Sequence, residues 1–254
     1  MEIKSILEKF NELAPLSYSL DAQKNLGHND NSGMILDCAK ETNSVVCALD
    51  LTNEVVDFAI SVGSKLIITH HPAIYRAIKS VSGTYVKAIE NGITVYSAHL
   101  NLDVASGGID DGLASLAGAK EAQTLTFVNE SKGFGRRFNI EPQTAESAVN
   151  ALIGKLSTTK YMFFGDKSKT VSTVSTYCGA GLGEQDVYKA EGVDLLISAD
   201  IPHHVLLAAL NSGKAVLQLT HYASEVFAMK NFVEEKLQKQ LEVKCYFYVD
   251  ERFI

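Results

Sequence analysis

The sequence predicts an α/β protein of two similar, intertwined three-layer lobes with largely parallel sheets, and two observations carry that prediction. Short β-branched runs alternate with helical stretches, the order that layers helices on a parallel sheet. The succession of strand, helix, strand and histidine-bearing turn then occurs twice, the mark of an internal duplication. At roughly 150 residues per domain, 254 residues fit two lobes, placed at residues 1–128 and 129–254 with the metal site between them.

Element by element, Ile3, Ile6, Leu7, Phe10 and Leu13 recur at helical intervals among charges, an amphipathic first helix and not an apolar signal core. Residues 45–49 are a β-branched strand; residues 53–62 space Val55, Val56, Phe58 and Ala59 as a helix, with Gly63 where it stops. A strand at 65–69, a helix at 85–91 ended by Gly92 and a strand at 93–97 deliver the chain to His99. Residues 125–139 are strand-like and 145–165 hold a helix and a strand, while Gly133, Gly135, Arg136 and Arg137 read as a solvated turn, with an anionic-group contact beside an active site as the alternative. The second copy runs through a strand at 171–177, a loop with Gly179, Gly181 and Gly183, a helix to Gly192 and a strand at 194–198. A helix to Gly213, a strand at 215–219 and His221 complete it. Phe227, Phe232, Val233 and Leu237 mark a last helix, and 243–249 a last strand.

Composition narrows the function. Thirty acidic against 23 basic residues leave a net charge of −7, so nucleic acid would be held against the global field and is not expected. Four scattered cysteines, Cys38, Cys47, Cys178 and Cys245, form no Cys-x-x-Cys pair, which speaks for reduced thiols in a cytoplasmic protein. No run approaches the roughly 18 apolar residues of a membrane span.

Six of the seven histidines fall at or beside the turn positions: His70 and His71, His99, His203 and His204, and His221. Ligands bind at the carboxyl ends of parallel strands because side chains and loops converge there. Adjacent histidines on a strand face opposite sides, but at the strand-to-loop turn both can enter one cavity. His99 and Asp103 lie four apart, as do His221 and Glu225, a spacing that stacks imidazole and carboxylate if a helix follows each strand. Imidazoles and carboxylates without a thiolate suit zinc, manganese, iron or cobalt. Six donors exceed the three that one catalytic zinc takes from protein, so two cations are expected. His28, in an Asn/Asp/Gly-rich loop, reads as an exposed turn residue. His203 and His204 fit equally a supporting role near the site or a plain helix face.

Three segments together, Ile68-Thr-His-His-Pro72, Ala98-His-Leu-Asn-Leu-Asp103 and Thr220-His-Tyr-Ala-Ser-Glu225, resemble the Nif-three-like dinuclear-metal-centre family, whose bacterial members are called GTP cyclohydrolase I type 2 homologues. The resemblance implies metal ligation by His70, His71, Asp103, His221 and Glu225, with His99 at or beside the site, two divalent cations per subunit and a toroidal homohexamer; His99 or His204 is the candidate general acid or base near neutral pH. It departs from the family in Asn29-Asp-Asn-Ser-Gly33 where Trp usually leads, in Thr220 for Gly, in Asp200 for Glu and in Leu100 for Thr, positions on the pocket wall and not among the donors. The implied activity is a metal-dependent hydrolase on a small-molecule substrate: purine-ring opening of GTP, or phosphoester cleavage. A non-catalytic metal-binding, metal-delivery or scaffold protein is the alternative. The absence of a Gly-x4-Gly-Lys-Ser/Thr loop speaks against a nucleotide-hydrolysing engine of that type.

Overall fold

The computed structural model describes residues 1–254. Its elements begin with α1 (Ile3–Leu13), α2 (Ser17–Leu26), β1 (Gly33–Leu36), β2 (Ser44–Ala48), α3 (Asn53–Ser61), β3 (Leu66–Thr69), α4 (Thr84–Glu90), β4 (Thr94–Ser97) and α5 (Leu100–Val104). Next come α6 (Ile109–Leu116), β5 (Gln123–Phe127), β6 (Gly133–Thr144), α7 (Ala145–Leu156), β7 (Tyr161–Phe164) and β8 (Thr170–Thr176). The chain ends with α8 (Glu184–Lys189), β9 (Leu195–Ala199), α9 (His203–Asn211), β10 (Ala215–Leu219), α10 (His221–Phe232), a π-helical turn Val233–Leu237 and β11 (Lys244–Phe247).

The chain divides into two compact units, Met1–Gly108 with Met229–Val249, and Ile109–Ala228 with Asp250–Ile254. A single cut near residue 128 does not describe this division. β11 returns to pair in parallel with β2, register Cys245 to Val45, so the tail belongs to the first unit. β5 pairs antiparallel with β6, which carries residues before 128 into the second.

The sheet of the first unit has the order β1-β4-β3-β2-β11, parallel except for β1. That of the second is β5-β6-β8-β9-β10-β7, parallel across β8-β9-β10 and antiparallel at β5, β6 and β7. The duplication is visible in this order. In each unit an antiparallel strand precedes three parallel strands in the chain and closes the edge beside the last of them, β1 on β4 and β7 on β10. The central parallel strands β2, β3, β4, β9 and β10 are almost wholly buried, as sheets covered on both faces require. Val46, Ile67 and Val95 pack with Val55, Val56 and Ala59 of α3; Leu196 and Val216 pack with Val187 of α8 and Val205 and Ala209 of α9. Thr52 starts α3 and Thr144 starts α7, each hydroxyl accepting the N–H three residues on, at 3.3 and 3.2 Å.

The stretch Gly133 to Arg137 is not a solvated turn. It opens the twelve-residue β6, and Arg136 is 4% exposed. Its guanidinium donates to Gly133 O, Gly135 O and Asp111 Oδ1, partners from a neighbouring helix and the strand's own backbone that local sequence does not display.

Asp194, just before β9, accepts from Ser172 N, Ser172 Oγ and Thr173 N through Oδ2 at 3.0–3.2 Å. Partial burial pushes its carboxyl up, but these bonds and Lys169 outweigh it and hold the pKa below the ordinary 3.8. Asp194→Ala is expected to cost about 1–2 kcal/mol, a fall of several degrees in Tm. The folded pKa lies below the unfolded one, so that difference is complete above the ordinary carboxylate value and shrinks as pH falls through the lowered one. Thermal unfolding at neutral and acid pH checks both.

Candidate metal centre

At the end of β3 the ladder runs one step further: His70 N donates to Ala48 O at 3.1 Å and His71 N to Leu49 O at 2.9 Å, while Ala98 N donates to Thr69 O. Both histidines leave the sheet here, and their rings turn together, with centroids 5.0 Å apart. His99, just past β4, brings its ring to 5.3 Å from His70 and 6.0 Å from His71. Three strand-end imidazoles therefore share one cluster in the first unit.

Each ring is held through Nδ1. That of His70 lies 2.9 Å from the Ala98 carbonyl, that of His71 2.7 Å from Asp50 Oδ1, and that of His99 2.8 Å from Asp30 Oδ1. A carbonyl oxygen only accepts, so His70 Nδ1 donates and the neutral ring carries its lone pair on Nε2. Carboxylates at the other two rings favour the same tautomer. This is the outer support that metal-ligating histidines use to fix ring orientation and raise basicity. Burial pushes the Asp30 carboxyl up, but hydrogen bonds from His99 and Ser32 and the charge of His99 outweigh it, bringing its pKa down to about 2. Asp30 is thus an anion that keeps His99 Nδ1 protonated.

Asp103, in the first turn of α5, is 5% exposed, and His70 is fully buried. His70 Nε2 and Asp103 Oδ1 face each other at 3.4 Å, and one donor atom each from His70, His99 and Asp103 lies within 4.8 Å of the others. Two buried acceptors face to face are costly unless a positive charge sits with them. Two metal bonds of about 2.0–2.1 Å meeting at a tetrahedral angle place their donor atoms about 3.3 Å apart, so the separation fits a first-row divalent cation.

The second unit repeats the pairing. His221 begins α10; its Nδ1 lies 2.6 Å from Asp200 Oδ2 and its Nε2 3.2 Å from Oε1 of Glu225, a carboxylate 3% exposed. Asp200 sits in the left-handed region at φ 45°, a conformation aspartate tolerates better than most residues and one common at functional sites. Beside the pair, Gly179 has φ +50°, and a Cβ there would lie 2.4 Å from Glu225 Oε1 and 2.9 Å from His221 Nε2. Only glycine leaves this pocket open. Its N–H donates to Ser224 Oγ at 3.0 Å, fixing the turn over α10.

The predicted donors thus fall into two sets: His70, His71, His99 and Asp103 in the first unit, and His221 and Glu225 in the second. His203 and His204 are exposed at the start of α9, and His28 is exposed in its loop. Sequence reasoning missed the carboxylates that hold the rings, Asp30, Asp50 and Asp200. A signal was present for two of them, since Asp50 and Asp200 each stand within two residues of a strand end. Asp30 lies in Asn29 to Gly33, read only as a departure from a pattern. No helix is long and apolar enough to cross a membrane.

The family described as Duf34/NIF3 (NGG1p interacting factor 3) matches residues 1–252. A Clostridium perfringens protein named GTP cyclohydrolase 1 type 2 homolog is 27% identical, covering 99% of this chain and 97% of its own. One of the same name from Methanocaldococcus jannaschii is 30% identical over 92% of this chain and 94% of its own. The crystal structure of a Bacillus cereus protein related to NIF3 superposes with a TM-score of 0.86 at 20% identity, over 99% of this chain and 97% of that one, and so shares the fold.

Proposed function

The chain belongs to the Duf34/NIF3 family, and on that footing we propose that it is a dinuclear, divalent-metal-dependent hydrolase that opens the purine ring of GTP or cleaves a related nucleotide. The carrying observation is the repeated pair of a histidine Nε2 facing a buried carboxylate, at 3.4 Å for His70–Asp103 and 3.2 Å for His221–Glu225. His70, His71, Asp103, His221 and Glu225 would hold two divalent cations drawn from zinc, manganese, iron and cobalt. His70, His99 and Asp103 form a group that could hold a metal ion; the number of cations and the metal's identity belong to the proposal.

Cations held there supply Lewis acidity, which polarises the bond under attack and acidifies water. The remaining chemistry falls to the chain. Asp30 keeps His99 Nδ1 protonated, leaving Nε2 as the atom that takes a proton from water or returns one to the leaving group. The His99 side chain is 21% exposed while that of Asp30 is closed off at 0%, so the imidazole meets solvent and its support does not. For ring opening, one water adds at C8 of guanine and the C8–N9 bond breaks to leave a formamide on N7; a second water then cleaves the C8–N7 amide bond, so that the carbon leaves as formate and N7 remains as an amine.

Metal-loaded protein incubated with GTP is expected to release formate with a change in purine absorbance. His99→Ala is expected to lower turnover by about 10²-fold or more while keeping most of its metal. Metal loss as deep as in the ligand variants would make His99 a ligand instead. No product from GTP, other nucleoside phosphates or simple phosphoesters would overturn the hydrolase reading and leave a metal-binding or scaffold protein.

A further inference from the structure

The β3–α4 connection, residues 70–83, carries more than His70 and His71. Three of its large apolar side chains are left outside: Tyr75 is 46%, Ile78 44% and Val81 52% exposed. Exposure here is not looseness at Tyr75. Ala73 N donates to Ser97 Oγ at 3.0 Å, Tyr85 Oη donates to Ala73 O at 2.6 Å, and Asn31 Nδ2 donates to Ile74 O at 2.6 Å. The backbone immediately before Tyr75 is thereby pinned to β4, α4 and the segment before β1.

That segment also holds His99. Asp30 takes its Nδ1 at 2.8 Å and Ser32 Oγ accepts its backbone N–H at 3.0 Å. Three consecutive residues, Asp30, Asn31 and Ser32, therefore set His99 and the Tyr75 loop in one frame. The result is an edge-to-face contact, with ring centroids 6.4 Å apart and planes at 87°, which leaves at least one face of the phenol ring clear of His99. Packing residues are buried; an aromatic held this firmly beside a donor cluster and left half in solvent is placed for a ligand. Residues 72–83 contain two charges, Arg76 and Lys79, both positive and both exposed, on a chain of net charge −7. The ligand chemistry that matches is a planar π-system joined to an anion.

We propose that Tyr75 is a specificity-determining residue that stacks the base of a nucleotide at this site, with Arg76 and Lys79 drawing in its phosphate end. The inference rests on the nucleotide reading above and names the group that reads the base. Stacking is tolerant of base identity, so GTP and ATP are held alike by this contact, and discrimination between them lies elsewhere.

The test is titration of the metal-loaded protein with GTP, ATP and inorganic triphosphate, the last being a probe without a base; if GTP turns over, KM replaces Kd. Wild type is expected to bind both nucleotides more tightly than triphosphate. Tyr75→Ala is expected to lose roughly tenfold for GTP and ATP, Tyr75→Phe to stay within about twofold of wild type, and triphosphate binding to be unchanged in both. Metal content and thermal unfolding equal to wild type show that Tyr75→Ala is folded and loaded. Equal weakening for triphosphate, or no weakening for nucleotides, overturns base stacking while the nucleotide reading stands. Wild-type protein that binds triphosphate and nucleotides equally also overturns it, and one that binds none of the three overturns the nucleotide reading together with it.

Discussion

Purified Glu225→Ala protein is expected to carry less than about a tenth of the wild-type metal, a loss as deep as that of Asp103→Ala, although the two carboxylates belong to different units of the fold. The expectation follows from the proposed dinuclear ligand set, in which both carboxylates are donors. A site that needs both carboxylates loses each cation's affinity when either is removed, because the neighbouring cation is then left with less negative charge around it. Two independent sites give a different result: each variant keeps the metal of the intact half. Elemental analysis after dialysis against a weak chelator separates these outcomes, and full occupancy in Glu225→Ala would remove Glu225 from the ligand set. Thermal unfolding belongs beside it, since a cation at 100 times its Kd stabilises the native state by about 2.7 kcal/mol. A variant that has lost the ion is expected to melt lower and to ignore added metal, whereas wild type shifts upward on loading.

Much of this centre is legible in the amino-acid sequence, and the reason is positional. A histidine one or two residues beyond a buried apolar run is at a strand end whatever the tertiary fold, and His70, His71, His99 and His221 all stand there. The four-residue spacing from His221 to Glu225 becomes a contact because α10 begins at His221 itself. His99 to Asp103 works less directly: the carboxylate faces His70, from the neighbouring strand end, because parallel strands in register bring Ile68 opposite Tyr96 and so align the turns beyond them. Alternation of elements marks the parallel cores of both sheets, whose apolar runs need no partner to be recognised.

What the sequence conceals depends on contacts between distant segments. Asp30 is 69 residues from His99, and no spacing rule links them. β1 and β7 are short edge strands without a period of their own, and their antiparallel pairing is fixed only by the strand they join. The division into units is concealed for the same reason: β11 is assigned by its ladder to β2, 200 residues back in the chain. Arg136 reads as solvated because Arg-Arg after two glycines carries every local mark of a loop, while the acids that hold it lie on a helix that precedes β5.

Those acids give the largest expected effect on stability. Asp110→Ala is expected to destabilise the protein by about 3–5 kcal/mol, the cost of removing one partner from a buried charge pair. Asp110 is 1% exposed and fills two roles: Oδ2 accepts Gly135 N at 2.9 Å, and Oδ1 accepts Cys178 N at 3.1 Å. Burial pushes its carboxyl up, against the charge of Arg136 and the two N–H bonds, while burial pushes Arg136 down and Asp110 and Asp111 push it up further. Alanine would leave two buried N–H groups without their acceptor and Arg136 with Asp111 as its one remaining carboxylate. Asp110→Asn keeps the shape, but its amide offers one oxygen where two N–H groups arrive, so an intermediate loss is expected; Asp111→Ala, where the carboxylate is 36% exposed, is expected to cost less than either. The effect also reaches the candidate site. Cys178 precedes Gly179, whose turn lies against His221 and Glu225, so a slackened Cys178 is expected to weaken metal retention in Asp110→Asn even where the protein stays folded. Denaturant unfolding of the three variants, read together with their metal content, tests both halves. An Asp110→Ala protein within about 1 kcal/mol of wild type would show that the buried pair contributes little. Unchanged metal in a destabilised Asp110→Asn would show that the turn is held by Ser224 alone.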